Sequence, residues 1–294
     1  RDIERIVESL QNEEAVIVFP AGEVSRAGVT GIKDGKWNSG FIRFARKANA
    51  PILPTFIGGK NSSLFYGASY VNRNLSTLLL AREMFNKKSL SIPLKVGEPI
   101  PFSQLDAVPV STQEKCKLLK KHLYRIAKGR KPLFITEKTI AHPQDRQSIK
   151  QELKESELLG ETSDGKKIYL FDHRNDSAVI QEVGRLREIA FRCVGEGTGE
   201  KKDLDRYDQY YRHLILWDEE ELEIAGAYRL AEAKHLRDNP EQGLYSATLF
   251  NYNEQMDDYF AKGIELGRSF VQPKYWGKRS LDYLWYGIGA YLRK

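Results

Sequence analysis

The chain is poor in cysteine. Its two, Cys116 and Cys193, are too few and too far apart for a disulfide framework or a thiolate metal site. A reducing, cytoplasmic setting fits this usage best. Long apolar runs are also missing. The longest, residues 15–20 and 78–81, fall far short of the roughly 18 residues that cross a bilayer. The N-terminal Arg1-Asp2-Ile3-Glu4-Arg5 has no apolar segment behind it of the kind a secretory signal carries. There is no Walker loop, no Ser-His-Asp triad, no zinc spacing and no internal repeat. Asp203, Asp205 and Asp208 lack the spacing and the bidentate Glu of a calcium loop and read as exposed turn acids. No metal or bound cofactor is expected.

What is present is an ordinary globular composition, 41% hydrophobic and 29% charged. It excludes collagen-like, low-complexity and largely disordered chains. A length of 294 residues suggests two domains. The net charge of +6 is unevenly spread. Residues 1–140 hold 23 Lys+Arg against 12 Asp+Glu, and residues 141–294 hold 23 against 28. A basic first half beside an acidic second half argues for different partners. A basic surface attracts anionic lipid or an acidic carrier protein, or is merely a soluble surface. Nucleic-acid binding has only this charge behind it and is not expected.

The first half reads as α/β. Residues 2–11 carry Ile3, Ile6, Val7 and Leu10 on one helical face. The runs 15–19 and 52–57 read as buried strands of a parallel βαβ unit around a helix at 40–48. A helix at 75–85, with Lys87 and Lys88 past its end, and a strand at 91–96 follow. Residues 112–128 are amphipathic, with Cys116, Leu119, Leu123 and Ile126 as the core stripe. Residues 139–165 are polar, with Pro143, Gly160 and Gly165, and read as a linker, although 147–159 also reads as a helix. The second half, 166–294, has the order of an α+β fold. A strand at 167–171 and a helix at 178–193 precede a hairpin of 213–217 with 222–230. A strand at 264–271 and a helix at 280–292 close it.

The first candidate site is Phe19-Pro20-Ala21-Gly22-Glu23-Val24-Ser25-Arg26. Strand C-termini in α/β folds are where ligands sit. Gly22 admits close backbone approach, and Arg26 offers a fork for phosphate or carboxylate, with Glu23 and Ser25 beside it. This octapeptide resembles the third sequence block of the glycerolipid (lysophospholipid) acyltransferases, and Pro51-Ile52-Leu53-Pro54-Thr55-Phe56-Ile57 resembles their fourth. Trp37, Gly40-Phe41 and Asn61-Ser62-Ser63-Leu64-Phe65-Tyr66 resemble the hemolysin-like branch. The resemblance covers residues 1–138. Ala21 stands where the superfamily usually has Glu, a departure that bears on the usual glycerol-phosphate acceptor. The superfamily's His-x4-Asp block lies upstream of its third block and is absent here, so this half is expected to be incomplete and not to catalyse as given. His213…Asp218 has that spacing, but it lies on a strand running into a turn and reads as coincidence.

The second is Glu265-Leu266-Gly267-Arg268-Ser269-Phe270-Val271. Strand alternation puts Glu265 and Gly267 on one face, Leu266 and Arg268 on the other. A strand interior is a costly place for a Glu and an Arg unless they are paired or in a site. Lys274, Gly277, Lys278 and Arg279 follow before a helix N-terminus, a place suited to pyrophosphate. Together with Arg187…Phe191, Asp205…Asp208, Tyr228-Arg229-Leu230 and Leu284-Trp285, this segment resembles the ornithine-lipid N-acyltransferases, a branch of the GNAT fold. Such enzymes move a fatty acyl chain from acyl carrier protein to an amino acid's amine, and their fold continues beyond the point matching residue 294, so this domain too is expected to be incomplete.

The resemblance implies catalytic roles for Glu265, assisting deprotonation, and Arg268, holding Glu265 or the acceptor carboxylate. It implies that Arg187, Asp205, Asp208 and Arg229 line or brace the acceptor site. It places acyl-carrier or phosphopantetheine binding at Val271, Lys274, Gly277, Lys278 and Arg279, with backbone amides at the end of the Val271 strand for the oxyanion. The expected protein is an aminolipid-forming acyltransferase using acyl-ACP or acyl-CoA, peripheral on the inner membrane face. A lysophospholipid acyltransferase with a silent GNAT appendage, and a membrane-binding protein without activity, remain the alternatives.

Overall fold

The structure, a computed structural model, describes every residue except 1, 29–30, 72–77, 86–90, 238 and 240. The chain divides into two compact units, Arg1–Lys138 and Thr139–Lys294.

In the first unit the helices Asp2–Gln11, Gly40–Ala48 and Thr112–Ala127 lie where the apolar spacing predicts them. Ser111 and Glu114 close a reciprocal capping box at the start of the last of these, satisfying two otherwise orphaned amides. Cys116, Leu119 and Leu123 are buried on that helix, the first two in a core with Ile42, Ala45, Ile100, Phe102, Leu105 and Phe134. The parallel βαβ unit is not found among the described residues. Residues 15–19 pair with no strand, and Ile17 is 82% exposed. A buried strand needs ladder partners on both edges, and the described ladders of this unit lie elsewhere. They are β1 (Arg26–Gly28) with β2 (Gly31–Lys33), and β3 (Thr55–Ile57) with β4 (Leu94–Val96), both antiparallel. The helix expected over 75–85 is described only as Leu80–Phe85, and Lys87 and Lys88 lie outside the described residues.

The second unit is an antiparallel five-stranded sheet, β5 (Glu157–Glu161), β6 (Lys167–Phe171), β7 (Arg212–Asp218), β8 (Glu223–Glu232) and β9 (Ile264–Val271), in that order. The expected linker is therefore largely structured. Asp145 caps a helix, Arg146–Lys154, that buries Ile149 and Leu153, and β5 then pairs with β6. Its apolar residues are few, but Ile149 and Leu153 pack into the core under helix Ala178–Cys193 and Leu159 against the core on the other face of the sheet. The sheet alternates face by face along β6 and β7, and a bulge at Ala225 interrupts the alternation of β8. Tyr169, Phe171, Ile215, Trp217 and Ala227 face the helix Ala178–Cys193, while Ile168, Leu170, Leu214, Leu216 and Ala225 face the helix Ser280–Leu292. At Gly287 that second helix comes so close that an added Cβ would stand 2.8 Å from Ile168 Cγ2 and 2.9 Å from Leu214 Cδ2. The overpacking costs about 1–3 kcal/mol, and better helix propensity returns at most about 1 kcal/mol. Gly287→Ala is therefore expected to lower the urea midpoint, and an unchanged or higher midpoint would contradict this packing.

Candidate active site

Three arginines and three aspartates meet on the face of the sheet that carries helix Ala178–Cys193. Arg187, on that helix and 1% exposed, donates through Nη1 and Nη2 to Asp208 Oδ1 and Oδ2 at 3.1 and 2.9 Å. Its Nε donates to the Asp203 carbonyl at 3.0 Å. Asp205 caps a tight 3-10 turn, Arg206–Gln209, and Asp208, the third residue of that turn, closes a second capping box with it. Asp205 Oδ1 takes the Tyr207 amide at 2.8 Å and Arg229 Nη1 at 2.6 Å. The Arg229 guanidinium, from the middle of β8, lies 5.2–5.5 Å from the ring centres of Tyr207, Tyr211 and Tyr245. The second half is acidic overall, yet this cluster is balanced, so its charges are tolerated only as pairs.

The environment separates the acids. Burial alone would raise the Asp208 carboxyl, but the hydrogen-bonded Arg187, with Arg229 behind it, holds it at about 2. Asp203 goes the other way. Burial raises it above the usual carboxylate range against the pull of Arg187 and Arg268, and its Oδ2 has no hydrogen-bond partner. His213, wholly buried on β7 with Nε2 3.4 Å from the Asp208 carbonyl, is pushed down to about 4 by burial, against the attraction of Asp208. A histidine lowered on folding stays neutral in the native state while the unfolded chain takes up a proton. Its contribution is complete above about pH 6.5 and is lost as pH falls towards 4. That loss is expected to be roughly 2–4 kcal/mol. Urea denaturation across this window should show the slope in the parent and its loss in His213→Gln, and parallel curves would remove His213 from the account.

Glu265 and Arg268 do not touch each other. A β-bulge sets Tyr228 of β8 opposite both Arg268 and Ser269. Arg268 takes a left-handed φ of 48° there. The extra residue resets the alternation, so Arg268, expected opposite Glu265, is turned to the same side, where its Nη1 lies 3.5 Å from Asp203 Oδ2 and its Nη2 3.7 Å from Asp205 Oδ2. Glu265 instead accepts three hydrogen bonds. They come from the Tyr211 hydroxyl, the Tyr245 amide at 3.0 Å and the Ser246 amide at 2.7 Å. Burial and this carboxylate push the Tyr211 phenol far up, so Tyr211 is a donor throughout the ordinary pH range. Both oxygens of Glu265 are engaged. It holds the segment around Tyr245 over the arginines.

The loop expected to bind the carrier arm is partly committed elsewhere. Lys274 is held by Glu221 and Glu223 at 2.7 and 2.6 Å. The Val271 carbonyl takes the Trp276 indole N–H at 2.7 Å, and the Gln272 amide donates to Ala225, so that amide is not free for an oxyanion. Gly277, at φ 73°, makes the turn that only glycine adopts without cost. Lys278 lies over the Tyr275 ring, and Arg279 stands at the start of helix Ser280–Leu292, over Tyr283.

In the first unit Gly22, Phe19, Trp37, Phe41 and Phe44 line an open cleft of about 740 Å³. Glu23 and Ser25 belong to the loop beside it, and Arg26 opens β1. Arg26 pairs with Glu23 at 3.4 Å, and the Ser25 hydroxyl donates to Asp34, which also accepts from the Trp37 indole. Among the described residues no group of His, Cys, Asp and Glu is placed to hold a metal ion. Asp203, Tyr211 and Tyr245 were not singled out as site residues by sequence. The signal nearest to them is the Tyr207, Tyr210, Tyr211 cluster directly after the aspartates.

Residues 2–130 match a family model described as acyltransferase, and residues 186–286 one described as acetyltransferase (GNAT) domain. The chain thus carries an acyltransferase domain followed by a GNAT domain. Among its relatives, a glycine N(alpha)-acyltransferase of Phocaeicola vulgatus is 38% identical over 165 residues, covering 51% of this chain and 51% of that protein. A lyso-glycine lipid O-acyltransferase of Bacteroides thetaiotaomicron is 33% identical over 113 residues, covering 36% and 42%. An L-ornithine N(alpha)-acyltransferase of Brucella abortus is 33% identical over 154 residues, covering 42% and 54%. The chain spans about half the length of the curated relatives it matches. No solved structure matches. Among the described residues no helix is long and apolar enough to cross a membrane.

Proposed function

We propose that the chain belongs to aminolipid assembly, with amino-acid N-acylation by the GNAT domain and O-acylation of a lyso-lipid hydroxyl by the acyltransferase domain. The observation that carries this reading is the coincidence of both domain matches in one chain with relatives named for N-acyl and for O-acyl transfer to related lipids. In the N-acyl step the amine nitrogen of the acceptor attacks a thioester carbonyl. A C–N bond forms, the C–S bond breaks, and the carrier thiol leaves with the proton the amine gives up. The arginine–aspartate cluster provides a charged, partly water-excluded floor for a zwitterionic acceptor. Lys278 and Arg279 are the cations left to meet the phosphate of a carrier arm, from acyl carrier protein or coenzyme A. The aromatic cleft beside Gly22 suits an apolar chain. The basic first half suits an anionic membrane surface, here the inner face.

Acyl-carrier and acyl-CoA thioesters, offered with a pool of amino acids and read by mass spectrometry, test the reading. An N-acyl amino acid is the expected product, with a two-chain lipid when the lyso-lipid is supplied. A phospholipid product with no dependence on amino acid would overturn it, as would tight vesicle binding without any transfer.

A further inference from the structure

Resting on that reading of the second unit, we propose that residues 245–262 form the subsite for the donor's fatty acyl chain, an apolar track that leads away from Tyr245. Four large apolar side chains stand in water between residues 249 and 259. Leu249 and Phe250 are each 62% exposed, Tyr252 36% and Tyr259 70%. Single exposed apolar groups are ordinary, whereas a run of them marks a surface for an apolar partner. The run is continuous with packed rings. The Phe250 ring centre lies 6.5 Å from that of Tyr252, and Tyr252 stands edge-on to Phe260 at 4.8 Å. Phe260 and Tyr245 both pack against the buried cluster of Tyr207, Tyr211 and Leu244. Tyr245 in turn lies 5.4 Å from the Arg229 guanidinium and 5.7 Å from that of Arg268. The track therefore starts at the arginine–aspartate cluster and ends in solvent.

The backbone holds this track in place and leaves a way into it. The turn Ser246–Thr248, with the Phe250 amide donating to the Ser246 carbonyl at 2.9 Å, keeps Leu249 and Phe250 beside Tyr245. Gly267 lies opposite Arg229 in the β8–β9 ladder, and a Cβ built on it meets no atom within 4 Å. Strand alternation puts Glu265, which holds the Tyr245 and Ser246 amides, on the same side as Gly267. The missing side chain thus leaves open space between the cluster and the start of the track. Charge selects the occupant. Residues 245–262 carry three acids, Glu254, Asp257 and Asp258, and one base, Lys262. That balance repels an anionic membrane surface and an acidic carrier protein alike. An uncharged hydrocarbon chain gains from the apolar side chains and meets no repulsion.

The test is photolabelling with a coenzyme A thioether whose alkyl chain ends in a diazirine, followed by digestion and mass spectrometry, with octanoyl-coenzyme A as competitor. Label within residues 245–262, removed by the competitor, is expected. The double variant Leu249→Ser, Phe250→Ser should cut that label about fivefold or more at sub-saturating probe, the return of half-burying two large apolar side chains. Its urea midpoint should stay, because both side chains stand mostly in water. In transfer, kcat/KM should rise from acetyl- to octanoyl-coenzyme A by about twofold per methylene, from half the free energy of a wholly buried one. That rise should flatten in the double variant. Transfer with the competed label confined to other residues, or with the parental chain-length dependence in the double variant, overturns the subsite and leaves the N-acyltransferase reading standing. Competed label on 245–262 without transfer to any amine keeps the subsite and overturns that reading. Absence of both the label and the transfer overturns both.

Discussion

Replacing Arg187 by Ala is expected to cost the second unit about 3–5 kcal/mol, the loss that follows when one partner of a buried ion pair is removed. Asp208 is 3% exposed and depends on two short contacts from Arg187, with Arg229 behind at 3.3 Å. Without Arg187 a buried carboxylate keeps one distant cation, and the Asp203 carbonyl loses its donor. The whole stability of an ordinary domain is about 5–15 kcal/mol, so a large share would go at once. Tryptophan fluorescence in urea reports the effect, because Trp217, Trp276 and Trp285 all lie in this unit. Asp208→Asn should be milder at pH 7, and its deficit should vanish on acidification. The native carboxyl, depressed to about 2, contributes fully above about pH 4 and loses its contribution as pH falls through 4 to 2. A double-mutant cycle should give a coupling of at least about 1.5 kcal/mol. Additive effects would mean that the two residues do not act as a pair.

The sequence was legible where local pattern and tertiary partners agree. The second unit's helices Ala178–Cys193 and Ser280–Leu292 and the strand Ile264–Val271 have the bounds their periodicity predicts, because each has a face covered by the sheet or by a helix. The runs at 15–19 and 52–57 look equally strand-like, yet one joins no ladder and the other forms only a bridge at Ile52 and the short β3. Apolar composition states what a segment would bury, not whether a neighbour is there to bury it. The candidate site shows the same division. Arg187, Asp205, Asp208, Arg229, Glu265 and Arg268 were identified by a motif, and the structure brings them to one face. Which side of the strand Arg268 takes was beyond the alternation rule, because nothing in Gly267-Arg268-Ser269 announces a bulge. Asp203 looked like an exposed turn acid and is 2% exposed, drawn in by Arg187 and Arg268. Tyr245 drew no reading at all, since it lies in an irregular segment whose partners are distant in sequence.

That segment bears on what Glu265 does. Glu265→Ala is expected to cost about 2–4 kcal/mol, because it leaves the Tyr211 hydroxyl and the Ser246 amide without their acceptor and the Tyr245 amide with only the Tyr211 oxygen at 2.9 Å, at about 1–3 kcal/mol for each buried group less what water recovers. The Tyr245 and Ser246 amides should then exchange with solvent faster. Both oxygens of Glu265 are taken up by the Tyr211 hydroxyl and the Tyr245 and Ser246 amides, so Glu265 is read as a positioning residue, in contrast to the base its motif suggested. Glu265→Gln separates the two roles. It keeps one acceptor oxygen but turns an N–H towards the other donors. As a positioning residue its loss should show first in stability and in exchange at 245 and 246, with the pH profile of transfer unmoved. As a general base its replacement should lower kcat by about a hundredfold or more, with the loop still protected. A protected loop together with a collapsed kcat would return Glu265 to the chemistry and leave Tyr245 held by its ring contacts with Arg229, Arg268 and Tyr207.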